Sequence, residues 1–480
     1  MDALVRLFDP PSLFFTSGVF AVCFGLFYVL YAAIGQGAGR AALGTAASLG
    51  FYAHFAGSMV VLPVAVATSD FCAARLMHAL RNPTARRLTL LAALSVDLGL
   101  LGYFKYADFL TQIFLGRDAF QILAPVGISF FVFKSLSYVF DVYYETIEKP
   151  EKNYLFYLYF VSFFPTVLAG PIHRASTFLE ECRKTVQPTS SDIARFGALF
   201  VVGLFKKTVV ADTLSANFIA RVFSEPERYS PIENWFATAF YGLYLFNDFS
   251  GYSDMATALA GLLGHRLPAN FNEPFKAASV SEFWRRWHIS LSQWFGDYVF
   301  KPLSFAWKSA GNWGAAAAAV ATFALSGLWH GAQWSFVLWG SAHGLAVGYE
   351  TVTARRRRRW SKKTAFRALG HLATLVFLLS TYPLFAAGDL QRAFAVYEKI
   401  FSPLEWESAV GWWNAYATAV VPYVAAALVA HFLPTALKNR IWKGVERIPW
   451  PAVAVAAAIM IVIAWQLRTS EALPVVYLKF

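Results

Sequence analysis

The sequence predicts an all-α, polytopic integral membrane protein, and three observations carry that prediction: composition, the length of the apolar runs, and the placement of the basic residues. Of 480 residues, 57% are hydrophobic, 18% aromatic and only 15% charged, against roughly 25% charged in an ordinary soluble domain. A water-soluble chain of this make-up has no interior large enough for its apolar surface. The apolar residues gather into runs able to cross a hydrocarbon core about 30 Å thick, which takes roughly 20 helical residues each. The net charge of +12 falls in short patches beside those runs, the positive-inside pattern of a membrane protein. That distribution argues for lipid and against nucleic acid as the basic residues' partner.

Taken in order, Leu13–Ile34 is the first run. It is long, is preceded by Arg6 against Asp2 and Asp9, and has no clear small-residue cleavage site, so it reads as a span and not as a cleavable signal. If it runs from outside to inside, Arg40 is cytoplasmic. Ala41–His54 then returns outward, and Ala56–Leu80 comes back in to deliver Arg81, Arg86 and Arg87 to the cytoplasm. A single span over Ala42–Ala67 would put that basic loop outside, so two short spans and a periplasmic amino terminus are expected. Leu88–Leu110 carries Asp97, Lys105 and Asp108, and Ala124–Tyr143 carries Lys134 and Asp141 behind Pro125 and Gly127. A charge at membrane depth costs roughly 2.5–3.5 kcal/mol or more unless paired or wetted. Lys105 is expected to snorkel and Asp141 to lie at an interface.

Lys206 and Lys207, Arg355 to Arg359 with Lys362 and Lys363, and Lys438 to Arg447 complete the basic patches. The Arg355–Arg359 run reads as a cytoplasmic loop in contact with anionic lipid. Ala415–Leu433 is the plainest late span. Counting part-spans interrupted by Pro, Gly or charge, about eleven crossings are expected. They fall in one helical domain over residues 1–480, with no internal repeat and no dividing linker. Cys23, Cys72 and Cys182 are an odd, scattered set, which is no disulfide framework, and they read as buried structural thiols.

From Tyr241 to Gly348 the polar content of apolar sequence exceeds what packing needs. Phe246-Asn247-Asp248-Phe249-Ser250-Gly251-Tyr252-Ser253-Asp254 sets two carboxylates in an apolar setting. Pro268-Ala269-Asn270-Phe271-Asn272-Glu273-Pro274 is bounded by prolines and cannot continue a regular helix, so its backbone needs protein partners or a watery cavity. Ser281-Glu282-Phe283-Trp284-Arg285-Arg286-Trp287-His288 is expected to open a helix, with Ser281 as cap and Glu282 in the first turn. At helical spacing Trp284, Trp287, Leu291 and Trp294 form one stripe and Arg285, His288 and Ser292 a polar one, which describes an interfacial or groove-lining helix. Asp248 is expected to pair with a cation, Arg285 or Arg286 being the candidates.

Ser326-Gly327-Leu328-Trp329-His330-Gly331 follows a long apolar run, and no charged residue lies within ten positions of His330. A histidine there is either hydrogen-bonded within the core or kept neutral as a general base, and at membrane depth an ionisable group is a functional hypothesis by default. Neutral imidazole suits proton abstraction from a hydroxyl, its ordinary pKa being near the working pH. Gly327 and Gly331 permit close approach of backbone or substrate.

Four of these stretches together resemble the membrane-bound O-acyltransferase family, and more narrowly its alginate O-acetyltransferase branch. They are Asp-Phe-Ser-Gly-Tyr-Ser-Asp-Met-Ala from Asp248, Asn-Phe-Asn-Glu-Pro-Phe from Asn270, Glu-Phe-Trp-Arg-Arg-Trp-His-Ile-Ser-Leu-Ser from Glu282, and Asp-Tyr-Val-Phe-Lys-Pro-Leu from Asp297. Gly102-Tyr103-Phe104-Lys105-Tyr106, Pro125-Val126-Gly127-Ile128-Ser129-Phe130, Phe164-Pro165-Thr166-Val167-Leu168-Ala169-Gly170-Pro171-Ile172 and Leu328-Trp329-His330-Gly331 fit the same branch. The resemblance covers roughly residues 10 to 350 and is concentrated in 246–344; beyond Arg355 the spans are generic. After Lys301-Pro302-Leu303 the chain continues Ser304-Phe305-Ala306-Trp307-Lys308 where members often have a Gly-Gly-Asn-Arg-like turn, a departure that bears on acceptor or partner contacts of that loop.

The resemblance implies a helical fold with an internal tunnel, His330 in the position of the essential histidine and His288 as a second motif histidine. Asp248, Asn272, Arg285, Arg286, Trp287 and Trp329 become candidate tunnel-lining or substrate-contacting residues, and His343 a structural one. It further implies a multi-pass protein of the bacterial inner membrane that takes an acetyl group from cytoplasmic acetyl-CoA, as donor substrate and with no cofactor. Accessory periplasmic acetyltransferases would pass the group to an alginate-like exopolysaccharide, with peptidoglycan or a lipid as alternative acceptors. Two other classes compete. A proton-coupled transporter should show related halves, and none are found; a zinc hydrolase wants chelating spacing, and His288, His330 and His343 do not have it, so no metal is expected.

Overall fold

A computed structural model describes residues 13–35, 37–116, 120, 122–184, 187–360, 363–404 and 406–467, the side chains of 358–360 and 464–467 excepted. All regular structure among the described residues is helical. The amino-terminal third holds α1 (Gly18–Ala33), α2 (Ala38–Ala56), α3 (Val61–Ala79), α4 (Pro83–Leu101), α5 (Ala107–Leu115) and α6 (Ile128–Tyr143). The middle holds α7 (Tyr154–Ser162), α8 (Ala175–Arg183), α9 (Ser190–Leu204), α10 (Pro231–Leu262), α11 (Val280–Trp284) and α12 (Ile289–Phe295). Then come α13 (Gly311–His330), α14 (Trp334–Val352), α15 (Thr364–Ala386), α16 (Leu390–Ile400), α17 (Trp406–Phe432), α18 (Thr435–Val445) and α19 (Trp450–Leu467).

Local chemistry sets the boundaries. Asn82 accepts from the amides of Thr84 and Ala85 with Pro83 in the first turn of α4, and Ser230 and Glu233 close a capping box at α10 with Pro231 behind the cap. The α2–α3 run breaks at Gly57, whose φ of 57° suits a residue without Cβ. The stretch expected to hold two short spans is one apolar helical run of 42 residues, Ala38–Ala79, with a 3₁₀ turn at Gly57–Val60 inside it. Four helical runs are long and apolar enough to cross a membrane, namely Ala38–Ala79, Pro83–Leu115, Thr364–Ala386 and Trp406–Phe432; a fifth arises if the bent pair Thr435–Val445 and Trp450–Ile463 is one span. The protein is a multi-pass membrane protein. Other helices are shorter, more polar or interrupted, and the expected figure of about eleven crossings counts such pieces too.

Small residues let the helices that carry the polar groups come close. A Cβ on Gly203 of α9 would lie 2.6 Å from the Gly251 carbonyl oxygen, and one on Gly251 of α10 would lie 2.7 Å from that of Gly203. This contact brings the end of α9 against the middle of α10. The α13–α14 hairpin is seamed in the same way, since a Cβ on Gly327 would meet the Phe336 carbonyl oxygen at 2.2 Å and one on Gly340 the Phe323 oxygen at 2.2 Å. The glycines beside His330 thus admit the neighbouring helix: a Cβ on Gly331 would collide with the Phe336 ring.

The Pro-bounded loop is tied to the carboxy-terminal helices by Glu273, which takes Lys438 at 2.6 Å and Lys276 at 2.9 Å. Burial alone would raise the Glu273 carboxyl, but the two ammonium groups overcome it and hold it at about 2, below the ordinary 4.5. A depressed carboxylate stabilises the fold above its unfolded-state value, and that contribution is lost as pH falls from about 4.5 toward 2. Glu273→Gln is therefore expected to melt with a flatter pH dependence than the wild type across that window; parallel curves contradict the assignment. The three cysteines are unbridged, but only Cys182 is partly buried, whereas Cys23 and Cys72 are exposed, which corrects the expectation of buried thiols.

Candidate active site

His330 is the last residue of α13 and is 1% exposed. Aromatic rings enclose it: Trp329 at 4.8 Å, Trp339 edge-on at 5.1 Å and Phe385 at 5.2 Å between centroids. Its chargeable neighbours are His288, Lys105 and His343. His288, also 1% exposed, packs on the same Trp329 ring, the two ring centroids lying 6.3 Å apart. Phe249 abuts His288 at 4.6 Å. The two motif histidines thus both sit in the interior against the Trp329 indole.

His288 reaches this place because its helix is broken, which corrects the expected continuous one. Ser279, and not Ser281, caps α11 by accepting from the Glu282 amide at 3.1 Å, and α11 ends at Trp284. His288 has φ 42° and ψ 53°, a left-handed conformation that a residue with a Cβ holds only at a cost. Backbone pairing with the Pro-bounded loop holds it: Asn272 N–H donates to the Arg286 oxygen and Ile289 N–H to the Asn270 oxygen, each at 2.9 Å. The break separates the expected polar stripe. His288 is buried, while Arg285 and Ser292 line a cavity of about 490 Å³. Ile289, next to His288, and Ser326, one turn before His330, line the same cavity.

Four sequence motifs converge on Asn270. Its Nδ2 donates to Ser253 Oγ at 3.1 Å, and its Oδ1 accepts from Ser290 Oγ at 2.8 Å. Ser290 Oγ in turn accepts from the Ile172 amide at 3.0 Å. Because Asn270 Oδ1 is an acceptor, His288 Nδ1 at 3.1 Å is the protonated nitrogen. A neutral His288 therefore has Nε2 as an acceptor, suited to a hydroxyl and not to a carbonyl oxygen.

Asp248 is fully buried and binds Lys207 at 2.7 Å, and Lys207 also binds Asp212 at 2.6 Å. The expected partners Arg285 and Arg286 are wrong: Arg286 pairs with Glu282 at 2.9 Å, and Arg285 is exposed. Asn272 is exposed and contributes backbone only. Trp287 stacks on Phe283 at 5.4 Å and lines a small cavity with Trp339 and Phe385. Lys105 does not snorkel but turns inward to the Trp329 carbonyl. Sequence reasoning missed Asn270, Lys207 and Lys105 as parts of this region, although each sits in a motif it quoted or a patch it named.

His343 is saturated on both sides. Trp284 Nε1 donates to its Nδ1 at 3.1 Å, and its Nε2 faces Thr381 Oγ1 at 3.3 Å. An indole N–H only donates, so the proton is on Nε2 and the ring bridges α11 and α15. His343→Ala is expected to cost about 1–3 kcal/mol of stability by stranding buried partners while keeping most turnover. A variant as stable as wild type but inactive contradicts that role.

Comparison with known proteins supplies the last observation. Residues 66–382, which contain both central histidines, match the family model for MBOAT, the membrane-bound O-acyltransferase family. The chain is 36% identical over 341 residues to a probable alginate O-acetylase of Azotobacter vinelandii, covering 68% of this chain and 65% of that one. The Pseudomonas aeruginosa counterpart is 35% identical over 343 residues, covering 68% and 62%. The peptidoglycan O-acetyltransferase of Helicobacter pylori is 31% identical over 387 residues, covering 73% and 71%. The chain spans just under two thirds of the length of the two alginate O-acetylases.

Proposed function

This chain belongs to the membrane-bound O-acyltransferase family, and from that premise we propose that it moves an acetyl group from cytoplasmic acetyl-CoA across the bilayer for O-acetylation of an exported, alginate-like polysaccharide. The observation that carries the reading is the packing of His330 and His288, both buried, against the same Trp329 ring. His330 is the general base. It takes the proton of the acceptor hydroxyl as that oxygen attacks the thioester carbonyl; the C–O bond forms, the C–S bond breaks, and the imidazolium returns the proton to the departing thiolate. His288, with Nδ1 held by Asn270, presents Nε2 to a hydroxyl and orients it.

The cavity beside α13 has room for a slender donor chain, and Arg285 at its wall suits an anionic group. The Arg81–Arg87 and Arg355–Arg359 loops face the cytoplasm in this reading, which sets the direction of transfer. Periplasmic acetyltransferases then receive the group, and the protein resides in a bacterial inner membrane. Peptidoglycan is the second acceptor reading, favoured by the similarity to the Helicobacter pylori enzyme. Deleting the gene and finding which polymer loses its acetyl esters decides between the acceptors: loss from an exopolysaccharide supports the first reading, and loss from peptidoglycan the second.

A further inference from the structure

We propose that Lys105 is a positioning residue for transfer at His330. The last carbonyls of a helix lack intrahelical donors, and Trp329, the penultimate residue of α13, is in that position. Lys105 Nζ donates to the Trp329 oxygen and lies 5.2 Å from the centre of its indole ring. A cation at a helix carboxy terminus also complements the helix dipole. One side chain thereby fixes the carbonyl and the ring of the residue against which both histidines pack.

The helix that carries Lys105 is built for this reach. Between α4 and α5, residues Gly102–Tyr106 form a π-helical turn, an insertion that rotates the following side chains and recurs at functional sites. It turns a lysine of an apolar run away from the membrane and into the protein. Trp329 is then held from three sides, by Lys105, by Phe133 at 5.7 Å and by Phe130 at 5.8 Å. The Phe133 ring is stacked on Trp294 at 3.9 Å. His330 follows Trp329 directly, so the place of its ring depends on this anchorage.

The proposal rests on the acetyl-transfer reading and is tested with the full chain in lipid nanodiscs and labelled acetyl-CoA. Lys105→Met is expected to lower kcat about 10²-fold, the cost of misplacing a reacting group by about 1 Å, with KM for acetyl-CoA within about twofold of wild type, as for loss of an interaction outside donor binding. Lys105→Arg, which keeps charge and donors, is expected to recover most of the loss. Wild-type kcat in Lys105→Met overturns the proposal, as does a loss that Arg does not relieve. Failure to recover folded Lys105→Met protein also overturns it, because the lysine then holds the fold and not the ring. His330→Ala measured alongside separates the two levels. If it too turns over like wild type, the acetyl-transfer reading fails; if only Lys105→Met does, the positioning role alone fails.

Discussion

His330→Ala is expected to yield a folded, membrane-inserted protein whose acetyl transfer is slowed about 10²–10⁴-fold, the usual contribution of a positioned general base. The imidazole sits among Trp329, Trp339 and Phe385 rings, so its removal opens a space in an aromatic cage without stranding a charge. Stability should fall by no more than a large-to-small core change, and yield and activity should therefore part company. His288→Ala should be damaging but leave residual turnover, because in this account it orients a hydroxyl through Nε2 and does not take the proton. Purified variants matched for thermal stability give the ranking His330, then His288, then His343 in severity. Activity that follows protein yield across the three variants contradicts it.

Lys207→Met is expected to be the costliest single change to stability, at about 3–5 kcal/mol, the penalty for removing one partner of a buried ion pair. Lys207 bridges two buried carboxylates, Asp248 and Asp212, and its loss strands both. Asp248→Asn should cost less, because Asp212 remains to balance the ammonium. Combining the two substitutions should be clearly less damaging than their sum, as for residues in contact. Thermal unfolding of the two single variants and the double in nanodiscs measures the coupling, and simple additivity contradicts the bridge. The same triad lies one residue from Phe249, which packs on His288, so a wild-type level of activity in the double variant would limit its role to the fold.

Composition and apolar runs made the membrane class legible, and the motifs made the family legible. The place of His330 was also readable, since an apolar helix followed by a glycine and an aromatic run describes the turn between α13 and α14. What escaped were features that depend on how helices meet. Asp248 was matched to the nearest arginines in sequence, but its cation comes from α9's extension, delivered by the Gly203–Gly251 contact. Lys207 was read as one more positive-inside residue, although its location before an apolar stretch fits burial equally well. Helical periodicity was carried through Arg285–His288 where backbone pairing with the Asn270 loop breaks the helix. In the Asn-Phe-Asn triplet the inward residue proved to be Asn270 and the exposed one Asn272, a choice that periodicity in an irregular loop does not make. Lys105 was expected to reach for the interface because a π-helical turn is invisible to a fixed 3.6-residue period.

The central claim is that His330 performs acetyl transfer from a thioester within the membrane. Wild-type protein and His330→Ala, each purified full-length in nanodiscs, are incubated with acetyl-labelled acetyl-CoA, and release of free CoA thiol and of labelled acetate or acetyl ester is followed with time. The account predicts that wild type releases thiol and label together and that His330→Ala does so about 10²–10⁴ times more slowly. Equal rates for the two proteins, or no thioester cleavage by wild type above an empty-nanodisc control, contradict it.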